Sequence, residues 1–420
     1  MTSPAVIYWH PHTNMATYDP SQFPVYAKGK GAYIWDEQGN RYFDGTSALW
    51  FANIGHGNER VAQAIYQQAL TLENFHTFVG NNHRPALDLI AKLAELSPID
   101  DPRILLGSGG SDAADLALKL ARRYWQAIGK PSKQYILSRN SGYHGLHGFG
   151  TSIIGDPELR EGYGPLVPET ARVADLDIDQ VRATVAKIGP ENIAAIIAEP
   201  VIGAGGMIPA TREYLQGLRD LADEQNILLI FDEVVTGFGR TGEWFASQAY
   251  GVTPDMTTFA KGVTSGYVPL GGVFVSRKVW APFYDSTNPD APAYWQGLTY
   301  SGHALAAAAA LANLAVIEDD HLLDNVRALS AFVGEELHRV FDDDPNVVDI
   351  RYKGLLGGVQ LRDGIDSHKV IATLRDEFGQ LARPCGQTIT ISPPFISTRQ
   401  ELATLIAAIA AASRIVAREG

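Results

Sequence analysis

Lys261 stands in the run Phe259-Ala-Lys-Gly-Val-Thr-Ser-Gly-Tyr-Val-Pro-Leu-Gly-Gly272, among small, apolar and hydroxylated residues. The nearest acid, Asp255, is six residues back. An ammonium in such surroundings loses solvation, which favours the neutral, nucleophilic amine. Such amines form Schiff bases with aldehydes, pyridoxal phosphate among them. A lone lysine of this kind more often snorkels to the surface, so its meaning depends on what stands upstream.

Two acids stand there, each at the end of an apolar run. Asn226-Ile-Leu-Leu-Ile-Phe-Asp-Glu-Val234 carries five consecutive apolar residues and predicts a strand buried on both faces. Thr211 to Gln225 predicts a helix, with Leu215, Leu218, Leu221 and Ala222 on one stripe and Thr211 as its N-cap. Ala194-Ala-Ile-Ile-Ala198 predicts a second strand. Strand, helix, strand makes one crossover unit, with its ligand side beyond the carboxyl ends of the strands. Glu199 and Asp232 fall on that edge, where a carboxylate either caps a neighbouring element or holds a pyridine nitrogen protonated. Arg103-Ile-Leu-Leu106 runs into Gly107-Ser-Gly-Gly-Ser111, and a helix is predicted from Asp112 to about Ile128. A glycine-rich turn at a helix N-terminus offers N–H groups to an anion. Asp112 and Ala113 exclude the dinucleotide fingerprint and the nucleophile elbow, and no Gly-Lys-Ser/Thr ending follows, so a monophosphate cradle or a plain strand-to-helix turn remains. After the strand-like Gln134-Tyr-Ile-Leu137 comes Ser141-Gly-Tyr-His-Gly145, whose Tyr143 could cover a planar ring or fill core.

Phosphate turn, aromatic-His-Gly, Glu-Pro, Asp-Glu-Val and Ala-Lys-Gly, in that order, resemble the class III (omega) aminotransferases, pyridoxal-phosphate enzymes of fold type I. The resemblance runs from Tyr33-Ile-Trp-Asp-Glu-Gln-Gly-Asn-Arg-Tyr-Phe-Asp44 to Arg383-Pro-Cys385. It implies an α/β fold with a mostly parallel central sheet in a large domain and a smaller α+β domain formed by both termini. It also implies pyridoxal 5'-phosphate as cofactor, joined to Lys261, which then shuttles a proton. Asp232 would pair with the pyridinium nitrogen, Tyr143 and Val234 would cover the two ring faces, and His144 and Glu199 would lie beside the cofactor. Gly110 and Ser111 would hold the phosphate. Thr299, in Gly297-Leu-Thr-Tyr-Ser-Gly-His303, would reach the same phosphate from a neighbouring subunit, implying a homodimer, or a dimer of dimers, with shared active sites. The family usually reads Ser-Gly-Ser-Glu-Ala-Asn at the phosphate turn, whereas this chain reads Gly109-Gly-Ser-Asp-Ala-Ala114. Gly109 and Ala114 remove two polar side chains there.

Within the family, the ornithine and 4-aminobutyrate branches carry a glutamate five residues after the Glu of Glu-Pro. This chain has Ala204 there, which resembles the amine:pyruvate branch. That branch implies Arg383 as a mobile partner for pyruvate's carboxylate, a job suited to a bidentate guanidinium. It also implies Trp50 and Phe78 as aromatic walls of the substrate pocket, and a preference for (S)-amines. The opening Trp9-His-Pro-His-Thr13 is also similar to diaminopelargonate aminotransferases. A mutase or racemase on the same fold shares Lys261 and Asp232 and stays open at this point.

The rest of the chain bounds these readings. Its 420 residues can bury a large core. With 34 basic and 47 acidic residues the net charge is −13, which argues against nucleic acid or an anionic membrane as partner. His10 and His12 have no third ligand at suitable spacing, so no metal site is expected. One cysteine, Cys385, excludes an intrachain disulfide, and no basic region leads into an apolar stretch at the N-terminus. A cytoplasmic enzyme fits these features. Ala304 to Ile317 and Leu402 to Val416 are apolar, alanine-rich and shorter than a bilayer span, and predict packed helices. The expected division is 1–60 and 318–420 for the small domain, around 61–317 for the cofactor domain.

Overall fold

The buried apolar runs assemble one sheet. In the computed structural model, which describes residues 4–419, seven strands lie in the order Arg103–Gly107, Gly271–Val275, Met256–Phe259, Leu228–Asp232, Ile193–Ala198, Tyr135–Arg139 and Thr170–Val173. Gly271–Val275 is antiparallel to both neighbours. The other pairings are parallel. Ile193–Ala198 and Leu228–Asp232 are buried at every residue, which explains why they read as continuous apolar runs rather than alternating ones. The helix Arg212–Glu224 connects them. Its Thr211 side chain accepts from the Tyr214 N–H, and Tyr214, Leu215, Leu218, Leu221 and Ala222 face the sheet side. Most of that stripe was legible from spacing; Tyr214 joins it one turn before Leu218.

A second core joins the two ends of the chain. Ala32, Phe43 and Ile54 pack in one cluster with Leu329, Val359, Leu405 and Ile409. The antiparallel strands Tyr26–Lys30, Tyr33–Asp36 and Arg41–Asp44 take Gln380–Leu381 as a parallel partner. A further sheet orders Val347–Lys353, Leu356–Leu361, Thr388–Ile391 and Arg383–Cys385, so Arg383 rides on an edge strand. The two apolar segments are helices, Ala304–Asp319 and Arg399–Glu419, each longer than its apolar run. Arg399–Arg418 has the length and composition to cross a bilayer. Its Leu402, Leu405, Ile406 and Ile409 are nevertheless fully buried in the terminal core, as expected of a packed helix.

Candidate active site

Strand register gathers the chemistry at one edge. Asp232 is the register partner of Thr258, and Phe231 that of Ala198. Glu199 therefore follows its strand end beside Asp232, and Lys261 follows Thr258 after three residues. Arg139 and Gly107 close the strands that lead to the Tyr143 loop and the phosphate turn.

Asp232 is 5 % exposed. Its Oδ2 lies 2.8 Å from His144 Nδ1, and its Oδ1 accepts from Thr258 Oγ1 at 2.9 Å and from the Val234 N–H at 3.1 Å. Burial alone would raise its pKa, but His144 and these donors outweigh burial and hold the carboxyl below its usual range. Glu199 accepts the Tyr143 N–H at 3.1 Å and the Gly203 N–H at 2.9 Å. Burial pushes its pKa up, opposed by His144 and Arg139. Arg139 is fully buried and donates to the Glu199 carbonyl.

Lys261 opens a short 3-10 turn, Lys261–Val263, with φ of +47°. Desolvation lowers its pKa, Arg383 adds to that, and Asp232 and Glu199 oppose it. Its Nζ lies 5.8 Å from the centre of the Trp50 ring, and the Arg383 guanidinium lies 5.6 Å from the same ring. Ala204 and Cys385 pack with Trp50, Val201 and Met207. Arg383 makes no ion pair among the described residues.

Gly110 and Ser111 begin the helix Gly110–Ala127, two residues before the predicted start. A Cβ on Gly110 would lie 2.9 Å from Val234 Cγ1, so the turn packs directly against the residue after Glu233. Gly145 has φ of +85° and a Cβ there would lie 2.5 Å from Ser111 Oγ, two reasons for glycine at one position. Ser111 Oγ accepts from the Leu146 N–H at 3.2 Å, and Asp112 turns back to accept from the Ser108 N–H at 2.8 Å. The turn, the His144 loop and the Asp232 strand end thus form one continuous edge.

Two sequence-predicted residues stand elsewhere. Phe78 is 45 % exposed and lies against Gly297, in the loop that carries the exposed Thr299. Neither joins the cluster around Lys261 within this chain. Sequence reasoning also missed Asn313, Arg139 and Thr258. Asn313, at 0 % exposure, donates to the carbonyls of Gly262 and Val263 at 2.9 and 3.0 Å and accepts from Ser265 Oγ at 2.6 Å. It braces the Lys261 turn from the helix Ala304–Asp319, and nothing in an alanine-rich run announces that. Glu233, beside Asp232, is committed elsewhere: it accepts from the N–H groups of Ala246 and Ser247 and from the hydroxyls of Ser247 and Thr236.

This donor set fits pyridoxal phosphate. It offers an amine for the aldehyde, an ionised buried carboxylate for the ring nitrogen, and the N-terminus of an 18-residue helix for the phosphate. Comparisons with known proteins agree with that reading. The class-III aminotransferase family model matches residues 15–412. Diaminobutyrate–2-oxoglutarate transaminase of Halomonas elongata is 35 % identical, covering 95 % of this chain and 92 % of that protein. Putrescine–pyruvate aminotransferase of Pseudomonas aeruginosa is 33 % identical, covering 94 % and 91 %. The crystal structure of an (S)-enantioselective omega-transaminase from Thermomicrobium roseum superposes with a TM-score of 0.92 at 36 % identity, covering 98 % and 97 %. The chain belongs to the class-III aminotransferases, enzymes of fold type I whose cofactor is pyridoxal 5'-phosphate.

Proposed function

We propose that this aminotransferase moves an amino group from a primary amine or omega-amino acid to pyruvate, in two half-reactions on one site. The observation that carries the acceptor is Arg383: a cation without a carboxylate partner among the described residues, set over Trp50, with Ala204 where other branches carry a glutamate. Such a guanidinium is free to bind an acid and to yield to an apolar donor. Selectivity for (S)-amines and a cytoplasmic homodimer or tetramer complete the reading. Thr299 and Phe78, exposed on one surface, would complete the site of a neighbouring copy. The division at 60 and 317 accords with a core that joins both termini.

When bound, pyridoxal phosphate supplies an electron sink for the substrate carbon. The chain supplies the remainder. Lys261, with its depressed pKa, accepts and returns the proton at that carbon through Nζ. Asp232, kept ionised by His144 and Thr258, would pair with the ring nitrogen. Tyr143 and Val234 would hold the ring between them, and Gly110 and Ser111 would hold the phosphate. Trp50 and Arg383 orient the substrate and exclude water from its carboxylate.

Amines of both hands, tested with pyruvate and with 2-oxoglutarate as acceptors, check this reading. Alanine formation from an (S)-amine is expected. Transfer to 2-oxoglutarate alone would reassign the acceptor, and amine isomerisation without any keto acid would point to a mutase or racemase.

A further inference from the structure

Arg139 is fully buried, and it makes no ion pair among the described residues. One N–H of its guanidinium donates to the Glu199 carbonyl, while Nε and Nη1 are buried without a hydrogen-bond partner. A cation so placed is costly unless charge nearby offsets it. Burial lowers its pKa, yet a guanidinium starts high enough to stay charged. The offset comes across space and not by contact: Glu199, Tyr214, Asp175 and Asp232 all favour the charged form, and the Tyr250 hydroxyl also faces it. Glu199 is the strongest of these influences.

The two residues leave adjacent strands side by side, since Leu137 is the register partner of Ile196. Between them they tie down the loop of Tyr143. The Arg139 carbonyl accepts from the Gly142 N–H at 3.0 Å, and Glu199 Oε1 accepts from the Tyr143 N–H at 3.1 Å. Glu199 Oε2 accepts from the Gly203 N–H at 2.9 Å. A Cβ on Gly205 would lie 2.4 Å from the Ser141 carbonyl, so the turn held by Oε2 packs on the loop held by Oε1. Only an ionised carboxylate offers both oxygens purely as acceptors; a neutral carboxyl turns one into a hydroxyl that must donate. Burial pushes Glu199 toward that neutral form, Asp232 adds to the push, and His144 and Arg139 oppose it. Lys261, Tyr143 and Cys385 also face Glu199. Of the two opposing groups, His144 is bonded to Asp232, and an imidazole can lose its charge. Arg139 cannot. Resting on the reading of Tyr143 as a cover for the cofactor ring, we propose that Arg139 is a positioning residue: its fixed charge keeps Glu199 ionised, and ionised Glu199 holds the Tyr143 loop against the cofactor.

The test uses Arg139→Met, which removes the charge and keeps much of the bulk, and Glu199→Gln, which keeps the shape and cannot ionise. Both single variants and the double variant are loaded with pyridoxal phosphate and compared with the unaltered holoenzyme. Three quantities are read: the near-visible circular dichroism of the bound cofactor, its Kd, and the pH profile of kcat. In Arg139→Met the Glu199 carboxylate takes up a proton more readily, so the acidic limb should move up by about one pH unit or more. The cofactor Kd should rise about tenfold and its dichroic band should weaken. With Gln at 199, the same arginine substitution should leave the acidic limb where Glu199→Gln alone puts it. An unmoved limb in Arg139→Met, or an equal shift in the Gln background, would overturn the proposal. Should Arg139→Met fail to fold, infrared titration decides with the unaltered holoenzyme and Arg139→Lys, which keeps the charge. The Glu199 carboxyl, identified by the band lost in Glu199→Gln, should be ionised at neutral pH in both, and a neutral carboxyl in either would overturn the proposal. Tyr143→Ala tests the underlying reading apart from this one: an unchanged cofactor band in that variant would remove Tyr143 from the ring, while the comparison of limbs still decides whether Arg139 acts through Glu199.

Discussion

A carboxyl group buried as deeply as Asp232 is normally driven toward its neutral form. Here His144 and Thr258 reverse that tendency, so the residue proposed to pair with the ring nitrogen has its charge secured by neighbours. In the His144→Ala variant the strongest of these supports is gone and the pKa of Asp232 rises. Turnover is expected to fall roughly 10- to 100-fold, one to two pKa units' worth of interaction, with an acidic limb moving to higher pH in the kcat profile. Lys261 works in the opposite sense. Burial and Arg383 lower its pKa, so the free amine is present well below the ordinary lysine value of 10.5. Arg383→Met deletes a positive charge, so the pKa of Lys261 should rise and the basic-side activation of the amine half-reaction should shift to higher pH. Lys261, Asp232 and Glu199 were legible because each ends or follows an apolar run. Thr258 and Arg139 were not, because only register and burial reveal what a hydroxyl or a strand-end guanidinium touches.

The helix Ala304–Asp319 was legible as a packed element, but its part in the site was not. A uniformly apolar, alanine-rich helix has no amphipathic stripe to show which face meets which neighbour. The Asn313 amide is the point where this helix grips the Lys261 turn, which Lys261 and Ser265 hold with φ of +47° and +48°. Asn313→Ala leaves two buried carbonyls and the Ser265 hydroxyl without that partner, and about 1–3 kcal/mol of stability should be lost. Denaturant unfolding checks the loss. Turnover should drop with it while substrate KM stays near its original value, since the turn carries Nζ and not the substrate contacts. Boundaries were read less well than elements. The helix after the phosphate turn begins at Gly110, because glycine at the N-terminus lets the backbone close on Val234.

Across the whole molecule, the crossover of Ile193–Ala198, Arg212–Glu224 and Leu228–Asp232 was legible from apolar runs and helical spacing. The order of the seven strands, with Gly271–Val275 antiparallel between Arg103–Gly107 and Met256–Phe259, was not. The joining of both termini into one core follows from the family resemblance. What no single-chain pattern could give is the destination of the exposed surface. Val79 and Trp295 are 94 % and 93 % exposed, and Phe75, Phe78 and Tyr300 are also exposed. Large apolar side chains left in solvent mark an interaction surface, and this set includes the loop of Thr299. In the proposed homodimer Val79→Asp should shift the protein toward monomer in sedimentation and weaken cofactor retention at low protein concentration. A monomeric variant that keeps full cofactor affinity would detach Thr299 from any phosphate site.

The central claim is that Lys261 is the cofactor lysine. Borohydride reduction of the holoenzyme, followed by peptide mapping by mass spectrometry, tests it directly. The pyridoxyl group is expected on the peptide containing Lys261 and should be absent from the Lys261→Ala protein treated alike. A reduced cofactor fixed on another lysine, with the Lys261 peptide unmodified, would contradict the site as described.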